Sequence, residues 1–347
     1  MALHRDLKIV ADWAWLKRAD LMRKALATGR PKGHTHLSRN NRAVSEIYGY
    51  ICGATARNRP SRRTMESFSE TLSRKLHNKL HGARYLCQTN GWTEMANLND
   101  FPEWTDWVGA FIHFMTPNKV ACRERVYLNL KEETRDRAFS AILKKIWHLP
   151  GLYSAKVAAP GSKKTDTVVI YCDTRETREE VVKIVRKYQK KKVGHFGSQL
   201  PKMVASDGLG IGHGAEPPDM HPVRPTSDRF EAGHTDGQSF GFYRATLIFI
   251  ALERTQFPEN MDQDCRRAGV NLSRFQNANP RHGMQLDIEG EQRKQVNAVR
   301  QMAQKMEFER RVEEVFRLAG LNAEQPETQG DPILSALPPP HPPLPAN

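Results

Sequence analysis

The chain has 347 residues, with 53 Lys+Arg against 39 Asp+Glu, a formal net charge of +14, 39% apolar and 27% charged residues. That composition excludes a disordered or fibrous chain, and the length suits one large or two modest domains whose core needs no disulfide or metal. No apolar run reaches the roughly 18–20 residues of a membrane span. The opening MALHRDLKIVADWAWLKRAD lacks an apolar signal core, which speaks against Sec-type export, and the five scattered cysteines (Cys52, Cys87, Cys122, Cys172, Cys265) contain no CxxC pair, which suits a reducing cytosol.

The charge is unevenly spread. Residues 1–85 hold 18 Lys/Arg and 6 Asp/Glu. Such a basic segment attracts a polyanion, a phosphopeptide, an acidic partner or an anionic membrane surface, or simply forms a solvated face. Residues 7–28 place Val10, Trp13, Leu16, Met22 and Leu26 near helical spacing, with Gly29 as a stop. A basic loop (29–41) leads to a helix carrying Val44, Ile47, Tyr48 and Ile51. A second basic loop, Arg57 to Arg63, precedes Phe68, Leu72, Leu76 and Leu80 on one helical face. Residues 83–95 read as a hairpin about Asn90-Gly91, and the apolar run 104–115 crosses into the main core.

RVYLNL (125–130) alternates like a strand, and 131–148 carries Ala138, Ile142, Ile146 and Trp147 at helical spacing. LYSAKVA (152–158) and TVVIYC (167–172) are strands joined by a Gly/Lys-rich turn. A helix over 174–189 follows, with Thr174 as N-cap. The order strand–helix–strand–strand–helix predicts an α+β fold with a twisted, partly antiparallel sheet flanked by helices. Residues 205–238, rich in Gly, Pro and His, read as a long loop. The glycines from Gly208 to Gly212 precede no helix and are not a dinucleotide fingerprint. Helix returns at 239–255, two short helices run to about 280, and a long helix over 289–318 ends at Gly320. The resulting division is a basic, mostly helical region (1–115), an α+β domain (116–320) and a Pro-rich tail (321–347) that is disordered or polyproline II.

Candidate chemistry gathers on the strands. The histidines lack metal-ligand spacing, whether His34 and His36 or those at 213, 221 and 234, and no cysteine has a nucleophile signature. Alternation puts Arg125, Tyr127 and Asn129 on one face of their strand and Val126, Leu128 and Leu130 on the other. Lys156 interrupts an apolar strand, Lys163 and Lys164 lie in the following turn, Tyr171 ends the next strand, and Arg244 begins a helix. Cations and tyrosines on one sheet face can build an anion site, or be a solvated face.

The run from Ile47 to Trp92, then RVYLNL, KKTDTVVIY, LP…GLGIGHGAEPP and SFGFYRATLI together resemble the Hop-A family over about residues 45–255. Its members are type III secretion effectors of plant-pathogenic bacteria, with relatives in class V lanthipeptide and thioamitide biosynthesis, and its fold looks like that of the bacterial effector phosphothreonine lyases. Those enzymes eliminate phosphate from phosphothreonine without metal or cofactor, so the resemblance implies a cofactor-free carbon–oxygen lyase acting on phosphoserine or phosphothreonine. By this analogy Lys156 is the base, a role that calls for a lowered pKa. Arg125, Arg244 and Lys164, with Asn129 and Lys163 beside them, hold the phosphate. Tyr127 stands where those lyases carry a histidine acid, Arg125 where they carry a lysine, and Tyr171 matches a positioning tyrosine. The partner so implied is a phosphorylated ribosomal precursor peptide, with a partner kinase or cyclase. The alternative is a non-catalytic effector, secreted into a host cell, that binds a host protein through its basic surface. Charge alone speaks for nucleic acid, without a binding motif or interleaved aromatics to support it.

Overall fold

A computed structural model describes residues 3–27, 42–53, 60–77, 79–86, 93–94, 111–217, 220–222, 230–232, 240–255 and 285–328. Its first helices are α1 (Arg5–Leu16), α2 (Arg18–Ala27), α3 (Arg42–Ile51) and α4 (Arg62–Leu76). The single helix expected over 7–28 is two. The α1 segment ends at Lys17, whose amide reaches the Trp13 carbonyl, while Arg18 Nη1 bonds the Trp15 carbonyl. The break turns Leu16 into solvent, 79% exposed, although its spacing suggested a core position.

Short strands β1 (Arg84–Leu86) and β2 (Thr93–Glu94) form the expected hairpin ladder. Its proposed Asn90-Gly91 turn, the basic loop 29–41, His34, His36, His234 and the two short helices up to 280 lie outside the described residues. The chain continues through β3 (Phe111–Met115), β4 (Glu124–Leu128), α5 (Arg135–Ile146), β5 (Leu152–Ala158), β6 (Val168–Cys172) and α6 (Arg175–Lys191). Thr174 caps α6 as expected, accepting from the Thr177 amide at 3.2 Å. Then come β7 (Ala205–Gly208), β8 (Ile211–Ala215), β9 (Met220–Pro222), β10 (Phe230–Ala232), α7 (Phe240–Thr255) and α8 (Gln285–Leu318).

The fold is α+β. Eight strands make one sheet in the order β2-β1-β3-β5-β6-β4-β8-β7, and β9 and β10 form a separate pair. All described pairings are antiparallel, in line with the at least partly antiparallel sheet expected. The three strands singled out in the sequence are neighbours, β5-β6-β4. Strands β1 to β3, from the mostly helical N-terminal region, complete one side of the same sheet.

Two readings are corrected here. Residues 205–215 are a β-hairpin, not loop, because Gly212 and Gly214 hide the alternation that would mark β8. Gly214 is required there: a Cβ would stand 2.5 Å from the Phe240 ring. Residues 321–328 belong to the fold rather than to a disordered tail. Gly320 ends α8 with φ +73, where glycine is favoured. The chain beyond it then gives the Ala323 carbonyl to the His4 amide, the Pro326 carbonyl to Arg244 and the Glu327 carbonyl to the Ala215 amide.

The sheet has two unlike faces. Val126, Leu128, Ala155, Val157, Val168 and Ile170 point to one side and pack beneath α4, α5 and α6 in the main core. A second core joins α1, α3, α7 and α8. Helix α7 is buried all round, which explains its apolar sequence without membrane insertion; among the described residues no helix is long and apolar enough to cross a membrane. The remaining sheet face, under the start of α7 and the end of α3, carries the polar residues.

Candidate functional site

Strand register assembles the site. His113, Lys156, Val169, Tyr127 and Gly212 form one row across β3, β5, β6, β4 and β8. Met115, Ser154, Tyr171, Arg125 and Gly214 form the next. Because alternate residues share a face, these rows lie opposite the helix-covered core. The C-terminal end of α3 closes over them. Its Cys52 carbonyl accepts from both the Thr165 amide and hydroxyl, and its Ile51 carbonyl accepts from the Lys202 amide. Satisfying those helix-end carbonyls also brings the 164–166 turn to the site.

The outcome is a small cleft lined by Arg125, Tyr127, Lys156 and Asp166 below Tyr48, Ile51, Cys52, Pro201, Phe240 and Gly241. The Lys156 ammonium sits 4.7 Å from the Phe111 ring centre and 5.5 Å from that of Tyr171. The Lys164 ammonium shares the Phe111 ring, at 4.9 Å, and lies 5.3 Å from Tyr48. Neither lysine makes an ion pair with a described carboxylate, although ring faces supply a modest cation attraction.

Arg125 differs. It is buried over the Tyr171 ring, and both arms of its fork grip the Glu216 carboxylate. Burial alone would lower its pKa; Glu216 first, then Tyr171 and Tyr127, reverse this and hold it well above the ordinary arginine range. Cys122 Sγ also donates to Glu216 Oε1 at 3.0 Å.

Tyr127 is buried with its ring 5.6 Å from that of Phe240, and its hydroxyl has no hydrogen-bond partner among the described residues. Burial pushes its pKa well up against the pull of Arg125, so the phenol stays protonated and can donate. Arg244 is completely buried behind this wall, its guanidinium 3.5 Å from the Phe240 ring centre. It donates to the Pro326 and Phe240 carbonyls, and Nη2 has no partner among the described residues. Burial brings its pKa down to about 9, which leaves it charged at neutral pH.

The structure therefore brings Lys156, Tyr127, Tyr171 and Arg125 together, with Lys164 at the rim and Arg244 behind. It does not bring in the other two. Asn129 lies just past the end of β4 and donates to the Gln199 carbonyl at 2.7 Å. Lys163 is exposed on the turn.

Sequence reasoning missed Glu216, Asp166 and His113. Glu216 was legible in principle, since Gly212, Gly214 and Glu216 continue one alternating face opposite Tyr127 and Arg125. Asp166 is buried with Oδ1 unpartnered among the described residues. His113 is held neutral, its pKa brought down to about 3 by burial first and by Lys156 and Arg125 next. The three described thiols are kept protonated. Burial pushes Cys52 up to about 12, with Asp166 adding and Lys164 opposing, and raises Cys122 and Cys172 further. Among the described residues no His/Cys/Asp/Glu group could hold a metal ion.

Arg125 and Lys156 on the sheet face, with Lys164 at the rim and Arg244 buried behind, thus lie near Glu216 and Asp166, with a protonated phenol beside them. Such an arrangement suits an oxyanion. Comparison with known proteins bears on what kind of protein carries it. Residues 113–276 match the HopA1 effector protein family. That stretch begins within β3, runs past the end of α7 and contains β4, β5, β6 and β8. The fold is shared with an effector protein from Pseudomonas syringae pv. tomato strain DC3000, at a TM-score of 0.50 and 13% identity, over 93% of this chain and 99% of that one. An effector protein from Pseudomonas syringae pv. syringae strain 61 aligns at a TM-score of 0.46 and 14% identity, over 92% and 99%. No curated protein matches the chain.

Proposed function

We propose that this protein is a type III effector of the HopA1 kind, delivered from the bacterial cytoplasm into a host cell, where it holds an anionic segment of a host protein in the cleft. The family match over the cleft-bearing region supports the effector role. The observation that carries the anionic partner is the pair Lys156 and Lys164, collected near Arg125 and Arg244 without an ion pair to any described carboxylate. Gathering like charges costs free energy unless an anion offsets it. The fork of Arg125 is already filled by Glu216, so Lys156 and Lys164 are the cations left to take a phosphate. A phosphorylated serine or threonine is therefore the natural occupant.

Two measurements test this. A fusion to a calmodulin-dependent adenylate cyclase should raise cyclic AMP in plant cells only when a secretion-competent bacterium delivers it. Phosphothreonine peptides should bind the purified protein, and their unphosphorylated forms should not.

A second reading is favoured by Tyr127 and Lys156 lining the same cleft. In it, Lys156 removes the Cα proton of a phosphorylated residue, Tyr127 or the cations stabilise the departing phosphate, Tyr171 positions the substrate, and a dehydroamino acid remains. This is the lyase chemistry implied by the resemblance to the phosphothreonine lyases, with a host protein or a phosphorylated precursor peptide as substrate. Mass spectrometry for loss of phosphoric acid separates it from binding alone.

A further inference from the structure

The corner where α6 ends is unlike the rest of the surface. Residues 183–192, KIVRKYQKKK, contain Lys183, Arg186, Lys187, Lys190, Lys191 and Lys192 and no acid. Lys183 pairs with Glu180, but Lys187, Lys190, Lys191 and Lys192 are exposed and make no ion pair with any described residue. Immediately after them, on a 3-10 turn, Val193 is 60% exposed.

The β7–β8 turn stands beside it. Gln189 Nε2 donates to the Leu209 carbonyl, and Arg186 Nε donates to the Asp207 carbonyl at 2.8 Å. These bonds fix Leu209, itself 44% exposed, next to the end of α6. On the other side the Lys131 amide bonds the His195 carbonyl at 2.9 Å, which adds Lys131 to the collar, together with Glu132 and Glu133. Five exposed lysines with no ion pair to any described residue, and two glutamates, therefore lie on the segments that carry two exposed apolar tips.

A helix dipole accounts for basic residues in the last turn of α6. It does not account for Lys187, for Lys192 beyond the helix, or for Val193 and Leu209 in water. A soluble polyanion would explain the lysines and leave the apolar tips unused. An anionic bilayer explains both, because its headgroups attract lysines while the layer beneath takes up apolar side chains. We propose that this corner docks on an anionic membrane surface, with Val193 and Leu209 entering the headgroup layer and the lysines resting over it. The cleft lies on the other face of the sheet and stays open.

Vesicle co-sedimentation of the full chain tests the proposal. Binding is expected to phosphatidylcholine vesicles containing phosphatidylserine, and not to phosphatidylcholine alone. A lysine near such a surface contributes about 1 kcal/mol, roughly fivefold, so Lys190→Gln with Lys191→Gln should weaken binding roughly 25-fold. Val193→Ser with Leu209→Ser should weaken it roughly tenfold. Val193→Trp should bind more tightly and shift its fluorescence to the blue on anionic vesicles. Arg5→Gln with Lys17→Gln, an equal charge change on α1, should bind like wild type. All these positions are exposed, so the variants should melt as wild type does. Equal binding to both vesicle types, or a lysine pair variant that binds normally, overturns the proposal. So does a serine pair variant that binds normally while heparin competes, which assigns the corner to a soluble polyanion. Lys156→Ala should leave vesicle binding unchanged, so failure here and failure of the cleft reading are told apart.

Discussion

His113 offers a quantitative probe of the cationic sheet face. Its imidazole lies across from Lys156 in the register of β3 and β5, and its pKa is depressed from 6.5 to about 3 by burial, Lys156 and Arg125. A depressed pKa means that the folded state resists protonation while the unfolded state does not. Between those two values the unfolded chain binds the extra proton, so stability falls as pH drops. At about pH 5 the unfolded histidine is almost fully protonated and the folded one is not, which amounts to about 2 kcal/mol lost relative to neutral pH. His113→Gln removes this term and leaves the other titrating groups in place. Urea unfolding at about pH 7 and about pH 5 should show the wild type losing about 2 kcal/mol more than the variant. Equal losses would mean that His113 is not held neutral by burial beside Lys156 and Arg125, and the electrostatic description of this sheet face would be wrong.

Glu216→Gln should leave Arg125 buried without its charge partner and cost about 3 kcal/mol of stability. The same change vacates the fork, so inorganic phosphate should raise the melting temperature of the variant more than that of the wild type. Gly214→Ala drives a methyl group against the Phe240 ring and should cost about 1–3 kcal/mol in chemical denaturation. Arg244→Met removes the donor that holds the Pro326 carbonyl, and hydrogen exchange at the Ala215 amide should speed up as residues 321–328 loosen.

Much of this molecule was legible in its residues. The alternation of RVYLNL placed Arg125 and Tyr127 on the face opposite Val126 and Leu128. Lys156 in an apolar strand announced itself because a half-buried charge needs a reason. What escaped follows from what one-dimensional patterns cannot carry. Gly212 and Gly214 leave no side chain to alternate, so β8 looked like loop, and Glu216 at its end went unread with it. His113 sits in an apolar run, FIHFM, where its cationic neighbours come from β5 and β4, more than ten residues distant. Arg244 was placed in the phosphate site from its position in the motif. Only packing reveals that it is fully buried behind Phe240, anchored to a C-terminal segment whose composition suggested disorder. Asn129 shared the strand periodicity of Arg125 and Tyr127, but β4 ends at Leu128, so periodicity no longer sets where it points.

The claim that the cleft receives a phosphorylated side chain is tested most directly by calorimetric titration of paired threonine and phosphothreonine peptides into wild type and Lys156→Ala, with each mixture then weighed by mass spectrometry. Phosphate-dependent binding that weakens in Lys156→Ala is the predicted result. Loss of phosphoric acid with the wild type alone would add the lyase reading to it. Equal binding of both peptides, or binding that ignores Lys156, would contradict the account.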